Sequence, residues 1–151
     1  MDDRELLRHW DEVRAGLYQA LDKLSDAQLT FVPREGLWSL GKVVCHIASC
    51  EEGWLRHFAR GQWPPEESDY APESYPSVAA LKQLLAEVHA RTAADLAVDD
   101  LGAWLDRRVK QPWGAEVSVR WCVWHVLEHE IHHRGEVYLM LGLLGMEAPD
   151  V

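Results

Sequence analysis

Four long stretches of this sequence carry apolar residues at intervals of three and four, the spacing that gives a helix one apolar face. The stretches are residues 3–24, 40–60, 78–97 and 119–144. A serine that can cap a helix precedes each of the last three, at Ser39, Ser77 and Ser118. Glycines that suit a helix end follow the second and the fourth, at Gly61 and Gly145. This periodicity predicts an all-α fold in which four helices pack as a bundle.

Two of the connections between these helices are long. Residues 61–76 contain four prolines, which exclude a helix and predict a surface crossover between helices 2 and 3. Residues 99–117 contain two glycines and a proline and have little periodicity, so we expect a loop with a short hairpin or a turn. A chain of 151 residues is expected to form one domain, here residues 1–151.

Charge and cysteine content exclude several classes of function. The 15 basic and 25 acidic residues give a net charge of −10, which would repel a phosphate backbone, so we expect no nucleic-acid partner. Three cysteines are an odd number and are typical of reduced thiols, not of a disulfide framework. No apolar run approaches the roughly 20 residues of a membrane span, and the N-terminus has no signal core. The composition favours a soluble, cytoplasmic protein.

Four of the eight histidines fall within nine residues of the last predicted helix, at His125, His129, His132 and His133. At about 100° per residue, these side chains share one arc of about 100°, and the neighbours on that arc are apolar. His129 and His133 lie one turn apart, so their rings can bind the same metal ion. A third ligand must then come from another helix.

The other four histidines are the candidates for that third ligand. His46 lies in an apolar segment in the middle of the second predicted helix. A buried imidazole there is either a metal ligand or a core histidine with a hydrogen-bond partner, and the residues alone leave both open. His9, His57 and His89 have charged neighbours and are predicted at the surface. His125 and His132 are expected to support the site or the core and not to bind the ion.

The same histidines also match a different motif. Residues 129–133 read His-Glu-Ile-His-His, which fits the H-E-x-x-H pattern of zinc peptidases with Glu130 as general base. The extended peptidase motif would need a glycine where the chain has Glu136 and a histidine where it has Leu139. No strand edge for a peptide substrate is evident either. A peptidase is therefore the weaker interpretation.

Two segments of the chain resemble the DinB/YfiT-like superfamily. The first is Pro-Arg-Glu-Gly-Leu-Trp-Ser at residues 33–39, followed by His46 and Glu52. The second, residues 125–136, is similar to the family's last-helix signature H-x-x-x-H-R-G-Q, although Glu136 stands where the family commonly has glutamine. The resemblance implies a four-helix bundle, usually a homodimer, with one divalent metal ion bound by three histidines. These are His46, His129 and His133.

The resemblance also implies two kinds of activity. Characterised members include S-transferases and isomerases that use low-molecular-weight bacterial thiols, and others are described as metal-dependent hydrolases. Three imidazoles leave a coordination position open, where zinc, nickel or iron can lower the pKa of a thiol or of water. We expect a thiol-dependent transferase acting on a small electrophile. A hydrolase, a non-catalytic stress-related metal-binding bundle and a binding module that acts through its dimer surface are the alternatives.

Six residues are expected around the ion without being its main ligands: His125, His132, Glu130, Cys50, Gly53 and Trp54. Gly53 shares a helix face with His46 and leaves room there, and Trp54 can line the pocket. Cys50 is expected to be a small core residue, with a fourth-ligand or redox role as the alternative. Glu130 and Glu52 are the candidate bases, and either can instead be a surface carboxylate or a partner for a histidine N–H. The sequence names no catalytic residue, no substrate and no native metal.

Overall fold

Four long helices build the protein, as the apolar periodicity predicts. The structure, a computed structural model, describes residues 2–62, 69–111 and 114–150. The helices are α1 (Asp3–Leu21), α2 (Leu40–Glu51), α3 (Val78–Leu96), a short α4 (Leu101–Asp106) and α5 (Val119–Leu143). Helix α2 packs against α3 and α5, and α1 packs mainly against α5. Helices α1, α2, α3 and α5 are the predicted bundle.

The predicted helix boundaries are confirmed where a cap defines them. The side chains of Ser39, Ser77 and Ser118 each accept a hydrogen bond from the backbone N–H three residues later. Such a bond satisfies one of the unpaired N–H groups of the first turn. Gly61 and Gly145 have φ angles of +71° and +78°, a left-handed conformation that glycine adopts without strain.

The first helix is shorter than predicted. Helix α1 ends at Leu21, three residues before the predicted end, and a 3-10 helix follows over Asp26–Thr30. The backbone N–H of Ser25 donates to the side chain of Gln28 at 2.9 Å and so starts the new helix. Leu24 is buried in the core from this turn, so its apolar spacing made the stripe look longer than the helix.

The second predicted helix is not α-helical to residue 60. After Glu51 the chain widens into a π-helix over Glu52–His57 and then tightens into a 3-10 helix over Phe58–Arg60. A π-helix places side chains on other faces than an α-helix of the same sequence would. The predicted positions of Gly53 and Trp54 relative to His46 assumed an α-helix, whereas both residues lie in the π-helix.

The two long connections contain short regular elements. Between α4 and α5, strands β1 (Arg108–Lys110) and β2 (Glu116–Ser118) form an antiparallel hairpin in which Val109 pairs with Val117. This is the hairpin alternative of the prediction, whereas α4 was missed. The Asp100 side chain, which caps α4 by accepting from the N–H of Ala103 at 2.9 Å, was the available signal. The crossover contains a 3-10 helix at Pro72–Ser74, and its other predicted part at residues 63–68 lies outside the described residues.

The bundle has two apolar cores with a polar layer between them. One core surrounds Leu17, Val44 and Leu85, and the other surrounds Trp10, Leu55 and Val123. On α1, α2 and α5 the chain passes from one core to the other through a buried charged residue, at Arg14, Glu51 and Glu130 respectively. Within the described residues, no helix combines the length and the apolarity that crossing a bilayer requires.

Candidate metal centre

Helices α2 and α5 bring three histidine rings together. His46 lies in the middle of α2, and His129 and His133 lie one turn apart on α5. The ring centroids are 4.3 to 4.9 Å apart, and one nitrogen from each ring lies within 4.8 Å of the other two. The Nε2 atoms of His46 and His129 are 3.0 Å apart. The structure therefore places the three predicted ligands in one group.

The state of these rings suits metal ligands. Burial, together with the neighbouring rings of His133 and His46, lowers the pKa of His129 to about 3. Burial and the charge of His133 also lower the pKa of His46. Metal ions bind the neutral imidazole, which is the form these shifts favour at neutral pH. Two nitrogens on one tetrahedral zinc ion lie about 3.3 Å apart, close to the observed 3.0 Å.

Glu136 contacts the third ligand from outside the group. Its Oε2 lies 2.7 Å from Nδ1 of His133, so a proton on Nδ1 leaves Nε2 free for an ion. A carboxylate in this position fixes the tautomer and orientation of a metal-binding imidazole and makes it more basic. His132 is mostly exposed and lies 3.5 Å from the other oxygen of Glu136. His132, His133 and Glu136 form a second cluster of possible ligands, which shares His133 with the first.

Glu130 faces away from the histidines into the polar layer. Its carboxylate accepts hydrogen bonds from the indole N–H of Trp10 at 2.6 Å and from Nε of Arg14 at 2.6 Å. Only 1% of Glu130 is exposed. The interpretation of Glu130 as a general base is therefore wrong, and so is the peptidase interpretation that depends on it. Adjacent residues of a helix point about 100° apart, which explains why His129 and Glu130 serve different sites.

The buried network extends from Glu130 to residues that were not predicted from the sequence. Arg14 also donates to Glu51 at 2.7 Å, and Glu51 lies 2.9 Å from Nδ1 of His89. The Nε2 atom of His89 lies 3.1 Å from Asp11, so the prediction of His89 as a surface residue is wrong. A signal was present, because Arg14 and Glu51 occupy apolar positions in the helical pattern of α1 and α2. A charge in such a position predicts a buried ion pair.

The remaining predicted site residues lie at the edges of the group. The ring of His125 stacks on Trp121 at 4.9 Å, meets Trp54 edge-on at 4.8 Å, and has its centroid 6.4 Å from that of His129. Trp54 therefore borders the site through His125. A Cβ added at Gly53 would meet no atom of the described residues within 4 Å, so there is open space at this position of the π-helix.

Cys50 and Glu52 are not placed for the roles considered. Burial, together with the charges of Glu51 and Glu130, raises the pKa of the Cys50 thiol to about 12, so the thiol stays protonated. Glu52 accepts a hydrogen bond from Arg91 at 3.0 Å and another from the Tyr70 hydroxyl, which makes it a structural partner. Neither residue belongs to the three-histidine group.

A cavity of about 430 Å³ opens beside the third histidine. Its walls come from residues 33–43 and from α5, and they include Trp38, His133, Glu136 and Leu139. The Trp38 ring meets His46 edge-on at 4.8 Å and stacks over His133 at 6.3 Å, so it covers two of the three rings. A wider cleft of about 570 Å³ lies near Asp2 and Gly102 and has no histidine in its walls.

Most of the chain matches a known protein family. The model of the DinB superfamily matches residues 9–137. The chain belongs to the DinB superfamily. The match spans α2 and the histidine segment of α5, so a DinB-like family and four-helix fold are both confirmed. No curated protein sequence matches the chain.

Solved structures support the same fold. A DinB-like protein from Bacillus cereus is 20% identical, with a TM-score of 0.82 over 99% of this chain and 97% of that one. YfiT from Bacillus subtilis, described as a probable metal-dependent hydrolase with an unusual four-helix bundle topology, is 21% identical, with a TM-score of 0.67 over 97% and 91%. A mycothiol-dependent maleylpyruvate isomerase is 16% identical, with a TM-score of 0.69 over 91% of this chain and 61% of that one. At these identities the likeness shows the fold alone.

Proposed function

We propose that this DinB-superfamily protein is an enzyme that binds one divalent metal ion through His46, His129 and His133 and uses the ion in catalysis. The observation that carries the proposal is the convergence of three imidazoles beside a cavity large enough for a small molecule. Burial lowers the pKa of two of them, His46 and His129, and so favours the neutral form that binds a metal ion. Three protein ligands with an open position are typical of catalytic sites, whereas structural zinc sites have four. Zinc and nickel are the metals we expect first, and iron also suits imidazole ligands.

The reaction we propose is transfer of a low-molecular-weight thiol to a small electrophile. When bound, the ion would supply the charge that lowers the pKa of a thiol or of water in the open position. The chain's own thiols do not suit this role, because burial raises the pKa of Cys45 and Cys122 to about 11 and that of Cys50 to about 12. The nucleophile would therefore be a separate thiol molecule. An isomerase with this fold is described as mycothiol-dependent.

Hydrolysis is the second candidate. YfiT, which shares the fold, is described as a probable metal-dependent hydrolase, and the same open position could activate water. The chain's residues that would help either reaction are the same. Glu136 orients His133, and Trp38 covers the rings of His46 and His133 from solvent.

The test begins with metal analysis of the purified protein, before and after incubation with Zn²⁺ or Ni²⁺. The loaded protein is then screened for conjugation of monochlorobimane with several bacterial thiols, and for hydrolysis of small esters and amides without a thiol. We expect one ion per chain and thiol-dependent conjugation. His129→Ala should lose both, and His9→Ala, which changes a solvent-facing histidine on α1, should keep both.

Other outcomes would assign another function. A protein that binds no ion after either incubation would overturn the metal proposal. An ion that raises the melting temperature without any activity would point to a non-catalytic metal-binding bundle. Hydrolysis without added thiol would favour the hydrolase.

We also propose that the protein is a homodimer. Trp124 and Ile131 lie two turns apart on one stripe of α5 and are 51% and 39% exposed. Large apolar side chains in such a row commonly mark an interface. Light scattering should give twice the chain mass of 17.3 kDa, and Trp124→Glu should reduce it to the single-chain value.

A further inference from the structure

The walls of the cavity beside His133 are mainly apolar. They include Leu37, Trp38 and Leu139, which are 57%, 45% and 65% exposed and so leave much of their apolar surface uncovered. A volume of about 430 Å³ falls in the range of roughly 300–1,000 Å³ that is usual for sites that bind small molecules. The cavity can therefore hold a ring or a branched hydrocarbon group directly beside a proposed metal ligand.

The charges around the cavity disfavour an anion. Glu136 is the charged side chain in the walls, and one of its oxygens is held by His133. The Nζ atom of Lys42 lies 5.8 Å from the ring centroid of Trp38, but Lys42 is not among the described wall residues and its Nζ is 3.9 Å from Asp69. In the chain without an ion, an anionic group entering the cavity would lose its hydration and gain a carboxylate as neighbour, which is unfavourable.

We propose that this cavity binds an uncharged, apolar part of the substrate and holds it beside His133. The inference rests on the proposed function, because it names the class of molecule on which the metal centre would act. Trp38 and Leu139 line the cavity from two different elements, the segment before α2 and α5. An aromatic ring in the cavity would bury apolar surface against these walls.

The experiment uses two probes with the same ring system and different charge. Naphthalene-2-methanol is neutral and 2-naphthoate is an anion at neutral pH. Each is titrated into the metal-free, ¹⁵N-labelled protein, so that no ion can bind the carboxylate, while the indole N–H signal of Trp38, assigned with Trp38→Phe, is followed by NMR. We expect the alcohol to shift this signal with saturation and to bind at least about tenfold more tightly than the naphthoate.

A matched pair of variants locates the binding. Leu139→Glu adds a carboxylate to the cavity wall, whereas Leu143→Glu adds the same charge one turn later on α5, at a position that is 57% exposed and outside the wall. We expect Leu139→Glu to weaken binding of the alcohol at least about tenfold and Leu143→Glu to leave it unchanged. Circular dichroism and light scattering check that both variants keep the fold and the mass of the parent.

Three results would overturn the inference. One is equal or tighter binding of 2-naphthoate, which would show that the site accepts an anion. Another is an equal loss in both variants, which would mean binding to the general apolar surface. The third is loss of the probe together with dissociation of a dimer in both variants, which would assign the face to a second copy of the chain.

The result stays separate from the test of the proposed function. Binding of the alcohol is an equilibrium measurement that needs no turnover, and metal content is measured independently. Binding of the alcohol to a chain that takes up no ion on incubation with Zn²⁺ or Ni²⁺ would keep the apolar site and reject the metal enzyme. One bound ion without binding of the alcohol would keep the metal site and reject the apolar site.

Discussion

Two buried polar sites share α5 and α2, and they are built in opposite ways. In the charged network, Glu130 accepts from Trp10 and Arg14, and Arg14 donates to both Glu130 and Glu51. In the histidine group, the rings face one another, and Nδ1 of His129 is buried without a hydrogen-bond partner among the described residues. The network is satisfied by the chain itself, whereas the histidine group has ring nitrogens to spare for a ligand.

The contrast separates the polar residues that stabilise the bundle from those that are available to bind a ligand. Burying a charge is costly unless it is paired, so the network keeps α1, α2 and α5 in one arrangement. Burying a neutral imidazole costs less, and its unpaired nitrogens can be completed by an ion. Substitutions should therefore affect folding in the first site and binding in the second.

The largest expected effect is on stability, from Arg14→Met. The change keeps most of the side-chain volume but leaves Glu51 and Glu130 buried without their shared cation. Breaking a buried pair from one side costs about 3–5 kcal/mol. Urea unfolding of the metal-free protein measures this loss, and Arg8→Met, at a largely exposed position on the same helix, should change it by less than about 0.5 kcal/mol. A loss near that of Arg8→Met would mean that the network does not hold the bundle.

The next effect is on binding, from His129→Ala. Removing one of three proposed ligands should weaken Zn²⁺ or Ni²⁺ affinity at least about 100-fold, or about 2.7 kcal/mol. The metal-free variant should lose less stability than Arg14→Met, because no charge is left unpaired. Chelator competition and urea unfolding give the two numbers. The contrast between the sites fails if His129→Ala destabilises the metal-free protein as much as Arg14→Met does.

A smaller effect on binding is expected from Glu136→Gln. Glutamine can still accept a hydrogen bond from Nδ1 of His133 but brings no negative charge, so it tests the charge of the carboxylate. Loss of such a partner costs about 10- to 100-fold in metal affinity, and we expect the lower end. Glu128→Gln, at an exposed position of α5, removes the same charge elsewhere and should leave the affinity unchanged. Equal affinities of Glu136→Gln and the parent would show that the carboxylate does not act on the ligand.

The sequence predicted the bundle well because helix periodicity and caps are local properties. Four apolar stripes, the last three of them preceded by Ser39, Ser77 and Ser118, define the long helices without any tertiary information. The same reasoning could not find the π-helix at Glu52–His57, since its apolar spacing also fits an α-helix. The end of α1 was missed because Leu24 is buried from the turn beyond the helix.

For the candidate site, spacing on one helix was informative and pairing between helices was not. His129 and His133 follow from their one-turn spacing, whereas His46 as their neighbour needed the family resemblance. The roles of Glu130 and His89 could not be read, because each depends on a partner distant in the chain: Arg14 for Glu130, and Glu51 for His89. Which carboxylate is free to act is decided by such partners.

The smallest effect is the pH dependence that His89 gives to the network. Burial lowers the pKa of His89, but the hydrogen bond and charge of Glu51 outweigh it and raise the pKa above its usual value, with Asp11 helping and Arg14 opposing. A raised pKa in the folded state stabilises the protein fully below about pH 6.5, and this contribution is lost as pH rises through the raised value. His89→Gln removes the titrating group, so its stability should approach that of the parent as pH rises from about 5 to 8. Asp11→Asn, which leaves the Glu51 contact, should reduce this slope only in part. Urea unfolding of the metal-free proteins across this pH range gives the curves, and parallel curves for His89→Gln and the parent would exclude a proton held between His89 and Glu51.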